Sequence, residues 1–116
     1  MPSPADHDRI AYIIDLVELI GSELDGITRD EFLNTKRVHD LAAYRLGTVG
    51  ETARRLSDNV KAAHPEVPWQ SVYAFRNIVV HDYRAIDPKR VWVIATEDLP
   101  DLAAACQSLR DALGEP

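Results

Sequence analysis

Residues 76–83 read Arg-Asn-Ile-Val-Val-His-Asp-Tyr. The run threads a permanent cation, an amide, an imidazole and a phenol through apolar neighbours. A hydrophobic interior has no need of that set. Arginine is almost never fully buried unless paired, and histidine is the side chain whose proton moves near neutral pH. The Arg76 guanidinium offers the planar donor fork that matches a phosphate. His81 can take a proton or return one. Together the two residue types can hold a phosphate and shuttle a proton.

These residues need a scaffold to bring them together. The periodicity predicts a helix from Trp69 to about Tyr83, with Val72, Phe75, Ile78 and Val79 facing the core. Trp69, Tyr73, Arg76, Val80 and Tyr83 follow one line along it, and Asn77 stacks one turn before His81. Arg76 and His81 are five positions apart, about 140° around a straight helix. Both reach one atom only if the Arg arm bends round, the helix unwinds near His81, or a second subunit completes the site.

The rest of the chain also reads as helix. Ile10, Ile13, Ile14, Val17, Ile20 and Leu24 recur at helical spacing over about 6–24, with Gly26 as a stop. Thr28 to Glu31 has the form of a capping box and opens a short helix through Phe32 and Leu33. A long third helix is predicted from Lys36 to Val60 or beyond, with a possible break at Ser57-Asp58-Asn59. Its Gly47 and Gly50 are candidates for close approach by another backbone. His64 to Pro68 is a loop. Asp87-Pro88 is a helix start, and Pro100 should kink or split the last helical region. The expected fold is all-α: one domain over residues 1–116, an antiparallel bundle of four or five helices.

Composition narrows the function classes. A net charge of −6 argues against a generic nucleic-acid coating protein, though a local basic cleft stays open. Cys106, on a helix after three alanines, reads as a buried inert thiol. His7, His39 and His64 do not form a ligand cluster, so no metal or cofactor is expected. No apolar run approaches membrane-spanning length and the N-terminus lacks signal-peptide features, so a cytoplasmic location is expected.

Arg76, four residues and then His81 is similar to the signature of HEPN domains. His81-Asp82-Tyr83 extends the resemblance to the HepT branch, whose toxins pair with MntA-type nucleotidyltransferase antitoxins. Val49-Gly50-Glu51-Thr52-Ala53 resembles that branch's Ile-Gly-Glu-Ala segment. Val67-Pro68-Trp69, Ile86-Asp87, Val91-Trp92 and Asp98-Leu99-Pro100 also follow the family pattern, so the likeness covers most of the chain.

The resemblance implies a homodimeric HEPN bundle and a metal-independent endoribonuclease. Ribose 2′-OH attack would leave a 2′,3′-cyclic phosphate and a 5′-OH. Arg76 and His81 would be catalytic. Asn77 would orient the imidazole or bind a phosphate oxygen, and Glu51 would anchor an arginine. Tyr83 would receive AMP from the antitoxin, silencing the toxin. Arg84, Lys89 and Arg90 would attract RNA or nucleotide.

Plainer readings stand beside these. Arg76 and Glu51 are compatible with a structural ion pair, and His81 with simple preference for a helix C-terminus. Tyr83 suits a half-buried aromatic with a wet hydroxyl. Trp69 and Trp92 suit core or interface anchors. Arg45, on the apolar stripe of the third helix, either snorkels or faces the cleft. The rival functions are a catalytically silent module docked on a nucleotidyltransferase and a purely structural dimerisation bundle.

Overall fold

A computed structural model describes residues 3–77 and 87–113, with side chains to 111. Every regular element among them is helical, and they pack as the expected all-α bundle. The elements are α1 (Pro4–Leu24), α2 (Arg29–Asn34), α3 (Lys36–Arg54), α4 (Asp58–Ala63), α5 (Trp69–Ala74), α6 (Pro88–Val93), a π-helical turn (Ile94–Asp98) and α7 (Leu99–Leu113). α1 packs on α3 and α7, while α3 also carries α5 and α6. The core joins Ile10, Ile13 and Ile20 of α1 to Leu46 and Val49 of α3 and to Leu102, Cys106 and Leu109 of α7.

The helix ends follow local chemistry. α1 begins two residues before the predicted start and Ser3 caps it: its Oγ accepts from Asp6 N, and Asp6 Oδ2 accepts from Ser3 N, closing a capping box. Gly26, at φ 77°, ends the turn after α1 in a backbone region that disfavours side chains. The expected Thr28–Glu31 box forms, and Asp87 Oδ1 accepts from Lys89 N at the start of α6.

The predicted third helix is shorter than Lys36–Val60. It stops at Arg54, and α4 begins at Asp58. Asp6, 1% exposed, is the reason: its Oδ1 takes Ser57 N at 2.9 Å and its Oδ2 takes Ser57 Oγ at 2.7 Å. Those bonds tie the α3–α4 corner to the start of α1.

The predicted helix from Trp69 is interrupted within the described residues. α5 ends at Ala74, and the next amides reach back only three residues, Phe75 N to Val72 O and Arg76 N to Tyr73 O. Asn77 is helical again, and positions 78–83 of the predicted span lie outside the described residues. Pro100 acts as expected but one turn early. The π turn ends at Asp98, and the N–H of the next residue, Leu99, bonds Ile94 O. A π turn inserts an extra residue, which accommodates a proline without unwinding the helix.

Both tryptophans pack against the core. Trp92 meets the buried Phe32 ring at 5.1 Å between centroids. Trp69 Nε1 donates to Lys61 O and His64 O, pinning α5 to α4.

Candidate active site

Gly50 determines how close α5 comes to α3. A Cβ there would meet Val72 O at 2.7 Å, Arg76 N at 3.1 Å and Phe75 Cβ at 3.3 Å. Real Cβ atoms do not tolerate the first of these, and the neighbour is backbone, so only glycine admits this approach. Phe75 and Val72 are buried at the contact, which leaves Arg76 at its edge.

Next to Gly50, Glu51 receives Arg76. Arg76 Nε lies 3.1 Å from Glu51 Oε2, and Arg55 Nη2 lies 3.4 Å from Oε1. Glu51 Oε2 has no solvent contact and no hydrogen bond among the described residues, so the Arg76 approach is Coulombic rather than directed. The Arg76 side chain keeps 43% exposure. A guanidinium held in this way retains N–H donors for an external anion. Glu51 therefore sits between two arginines. Arg55, its second partner, was not among the sequence candidates; its i,i+4 spacing from Glu51 was the available signal.

Asn77 is exposed immediately after Arg76. Lys89 and Arg90 are exposed in the first turn of α6. His81, Tyr83 and Arg84 lie outside the described residues.

Arg45 neither snorkels nor stands free. Its Nε meets Glu23 Oε1 at 2.5 Å and its Nη2 meets Oε2 at 2.9 Å, a bidentate clamp between α1 and α3. Burial raises the carboxyl pKa of Asp6, but hydrogen bonds from Ser57 and Ser3 outweigh it and bring the value down to about 2. Burial pushes the Cys106 thiol up to about 12, so it is the inert thiol expected. Among the described residues, no three His, Cys, Asp or Glu side chains gather as a ligand set.

The chain compares well with known proteins. The family described as Ribonuclease HepT-like matches residues 13–109. A Thermococcus cleftensis protein named "Probable ribonuclease HepT" is 28% identical over 103 residues, spanning 89% of this chain and 94% of the relative. A Methanocaldococcus jannaschii protein named as a candidate RNase is 30% identical over 95 residues, spanning 79% of this chain and 87% of the relative. A second candidate RNase from that organism is 27% identical over 109 residues, 90% of each chain. No solved structure gives a significant match. The matched span runs from the core of α1 to the core of α7 and takes in both halves of the Glu51–Arg76 pair. The chain belongs to the HepT-like ribonuclease family.

Proposed function

We propose that residues 1–116 form one HEPN-type domain acting in the cytoplasm as a metal-independent endoribonuclease. It is the toxin of a type VII-like toxin–antitoxin pair, with an MntA-like nucleotidyltransferase as antitoxin. The observation that carries this reading is the half-exposed Arg76, paired with Glu51 in a chain of this family with His81 five residues on.

The 2′-oxygen of a ribose attacks the adjacent phosphorus. The new O2′–P bond forms as the P–O5′ bond breaks. His81 of one subunit takes the 2′-hydroxyl proton, and protonated His81 of the other gives a proton to the departing 5′-oxygen. Arg76 holds the phosphate and stabilises its added charge. Asn77 orients the imidazole, and Glu51 positions Arg76. Lys89 and Arg90, with Arg84, draw in the RNA or the nucleotide donor. AMP added to Tyr83 puts a bulky anion beside the two catalytic groups and closes the site.

A homodimer fits the surface of α3. Leu41 and Tyr44 are 41% and 62% exposed and lie at heptad spacing with Thr48 and Glu51. Beside Leu41, Ile20, Leu24, Val38 and Ala42 line an apolar pocket of about 240 Å³. A two-fold contact through this stripe carries Glu51, and with it Arg76, toward the partner copy.

The test is RNA cleavage by the purified protein in excess EDTA, with Arg76→Ala and His81→Ala alongside. Wild type should cleave, and both folded variants should be dead. Full activity in either variant refutes the assignment. Complex formation with the nucleotidyltransferase but no cleavage under any condition would favour the silent docking module.

A further inference from the structure

Five of the chain's thirteen Lys and Arg residues gather at one end of α3. The reason is local. The last carbonyls of a helix lack partners and carry partial negative charge, so cations collect there. Arg9 Nη1 donates to Arg55 O at 3.0 Å, and Lys61 Nζ donates to Arg54 O at 2.9 Å.

The contacts then close into a ring that includes the candidate site. Lys61 Nζ stands 4.9 Å over the Tyr73 ring, and Tyr73 is three residues before Arg76 on the tightened end of α5. Arg76 pairs with Glu51, Glu51 with Arg55, and Arg54 adjoins Arg55. Five cations thus gather at this corner, two of them on Glu51, in a chain whose net charge is −6.

Two other acids of this corner are already engaged. Asp6 is buried on Ser57, and Glu66 pairs with His64 at 2.9 Å. Asp8, beside Arg9, and Asp58, three residues from both Arg55 and Lys61, are the exposed acids nearest in sequence. Arg55 is 65% exposed, and the exposed Arg54 side chain makes no ion pair or hydrogen bond among the described residues.

We propose that Arg54, Arg55 and Lys61 form a phosphate-binding subsite for single-stranded RNA, continuous with Arg76. The subsite rests on the ribonuclease reading above and extends it. The chain's net charge of −6 disfavours RNA over the surface as a whole, so positive patches such as this corner guide the strand. Tyr73 holds Lys61 in place, and its ring beside the cations is the pairing of aromatic and basic groups that suits an unpaired strand. An acidic protein surface would also meet the cations. Continuity with the residue that grips the scissile phosphate favours the nucleic acid.

Binding separates this subsite from catalysis. A 2′-O-methyl oligoribonucleotide has no free 2′-OH and is not cut, so its affinity can be read by fluorescence anisotropy across a salt series. Arg54→Gln/Arg55→Gln and Lys61→Gln are the subsite variants. Lys36→Gln is the control, eighteen residues up α3 from Arg54 and about 27 Å away. Each lost phosphate contact should lower the slope of log K against log salt by about 0.7. The double variant should lose about twice that, and Lys36→Gln nothing.

Unchanged slopes in the subsite variants, or an equal fall in the control, overturn the proposal. So does a wild-type protein that binds no oligonucleotide, or one from which polyglutamate displaces RNA as well as RNA itself does. If wild type binds with the expected slope yet leaves cleavable RNA intact, the subsite stands and the ribonuclease reading falls.

Discussion

Asp6 is 1% exposed, and its carboxylate accepts hydrogen bonds from the backbone and side chain of Ser57 and from Ser3 N. Its folded pKa is about 2 against an ordinary 3.8. A carboxyl depressed on folding stabilises the protein above its unfolded pKa, and that stability is lost as pH falls through 3.8 toward 2. The difference is about 2 kcal/mol. Urea midpoints measured from pH 2 to pH 6 should therefore rise steeply between about pH 2 and 4 in wild type. Asp6→Asn should be less stable at pH 6 by about 2 kcal/mol, with a flatter acid limb. Identical acid limbs would remove Asp6 from the account. Glu51 has a different task. Its pairs are half-exposed, so their direct worth is at most about 1 kcal/mol. Glu51→Gln should barely change thermal stability but lower RNA cleavage at least tenfold, ~1.4 kcal/mol of transition-state stabilisation, because Arg76 loses its anchor. A Glu51→Arg/Arg76→Glu swap should keep the fold and abolish cleavage; retained cleavage would show the pair to be structural only.

Two glycines on long helices behave oppositely because of what lies outside each. Gly21 of α1 has nothing within 4 Å of an added Cβ and no unusual backbone. Gly21→Ala should stabilise the protein by up to ~1 kcal/mol through better helix propensity. Gly50 of α3 faces the backbone of α5, so Gly50→Ala must push the two helices apart. A cost of about 1–3 kcal/mol is expected, together with lost cleavage as Arg76 moves from its place. Thermal unfolding of both variants checks the sign. A Gly50→Ala protein as stable and active as wild type would mean that α5 accommodates the methyl freely. The same contact explains how helix spacing matters for the site: the turn after α5 carries Arg76, α3 carries Glu51, and only a residue without a side chain lets the two segments meet.

The whole molecule presents Leu41 and Tyr44 in line with Glu51, and a two-fold contact along that stripe would bury them. Wild type should sediment as a dimer; Leu41→Asp/Tyr44→Asp should sediment as a monomer at the same concentrations, and should lose cleavage while keeping its helical content. A double variant that stays dimeric places the interface elsewhere. Much of this chain was legible in one dimension. Apolar residues at helical spacing specify α1, α3 and α7, and the Thr28 box and Asp87-Pro88 mark helix starts, because these depend on contacts within a few residues. Arg76 and Glu51 were recognisable as candidates because a cation and a carboxylate on apolar helices call for a reason. Other features required long-range contact. Asp6 meets Ser57 across fifty-one positions and stops α3 at Arg54. Arg45 meets Glu23 across twenty-two. The cationic corner combines Arg9, Arg54, Arg55, Lys61 and Arg76, which no spacing rule connects. Sequence by itself determined which segments are helices and which residues are candidates for chemistry, because both are set by local periodicity and side-chain type. The tertiary structure alone decided which of them touch, because partners are chosen by helix packing and by the burial of groups that must find a counter-charge or hydrogen bond there.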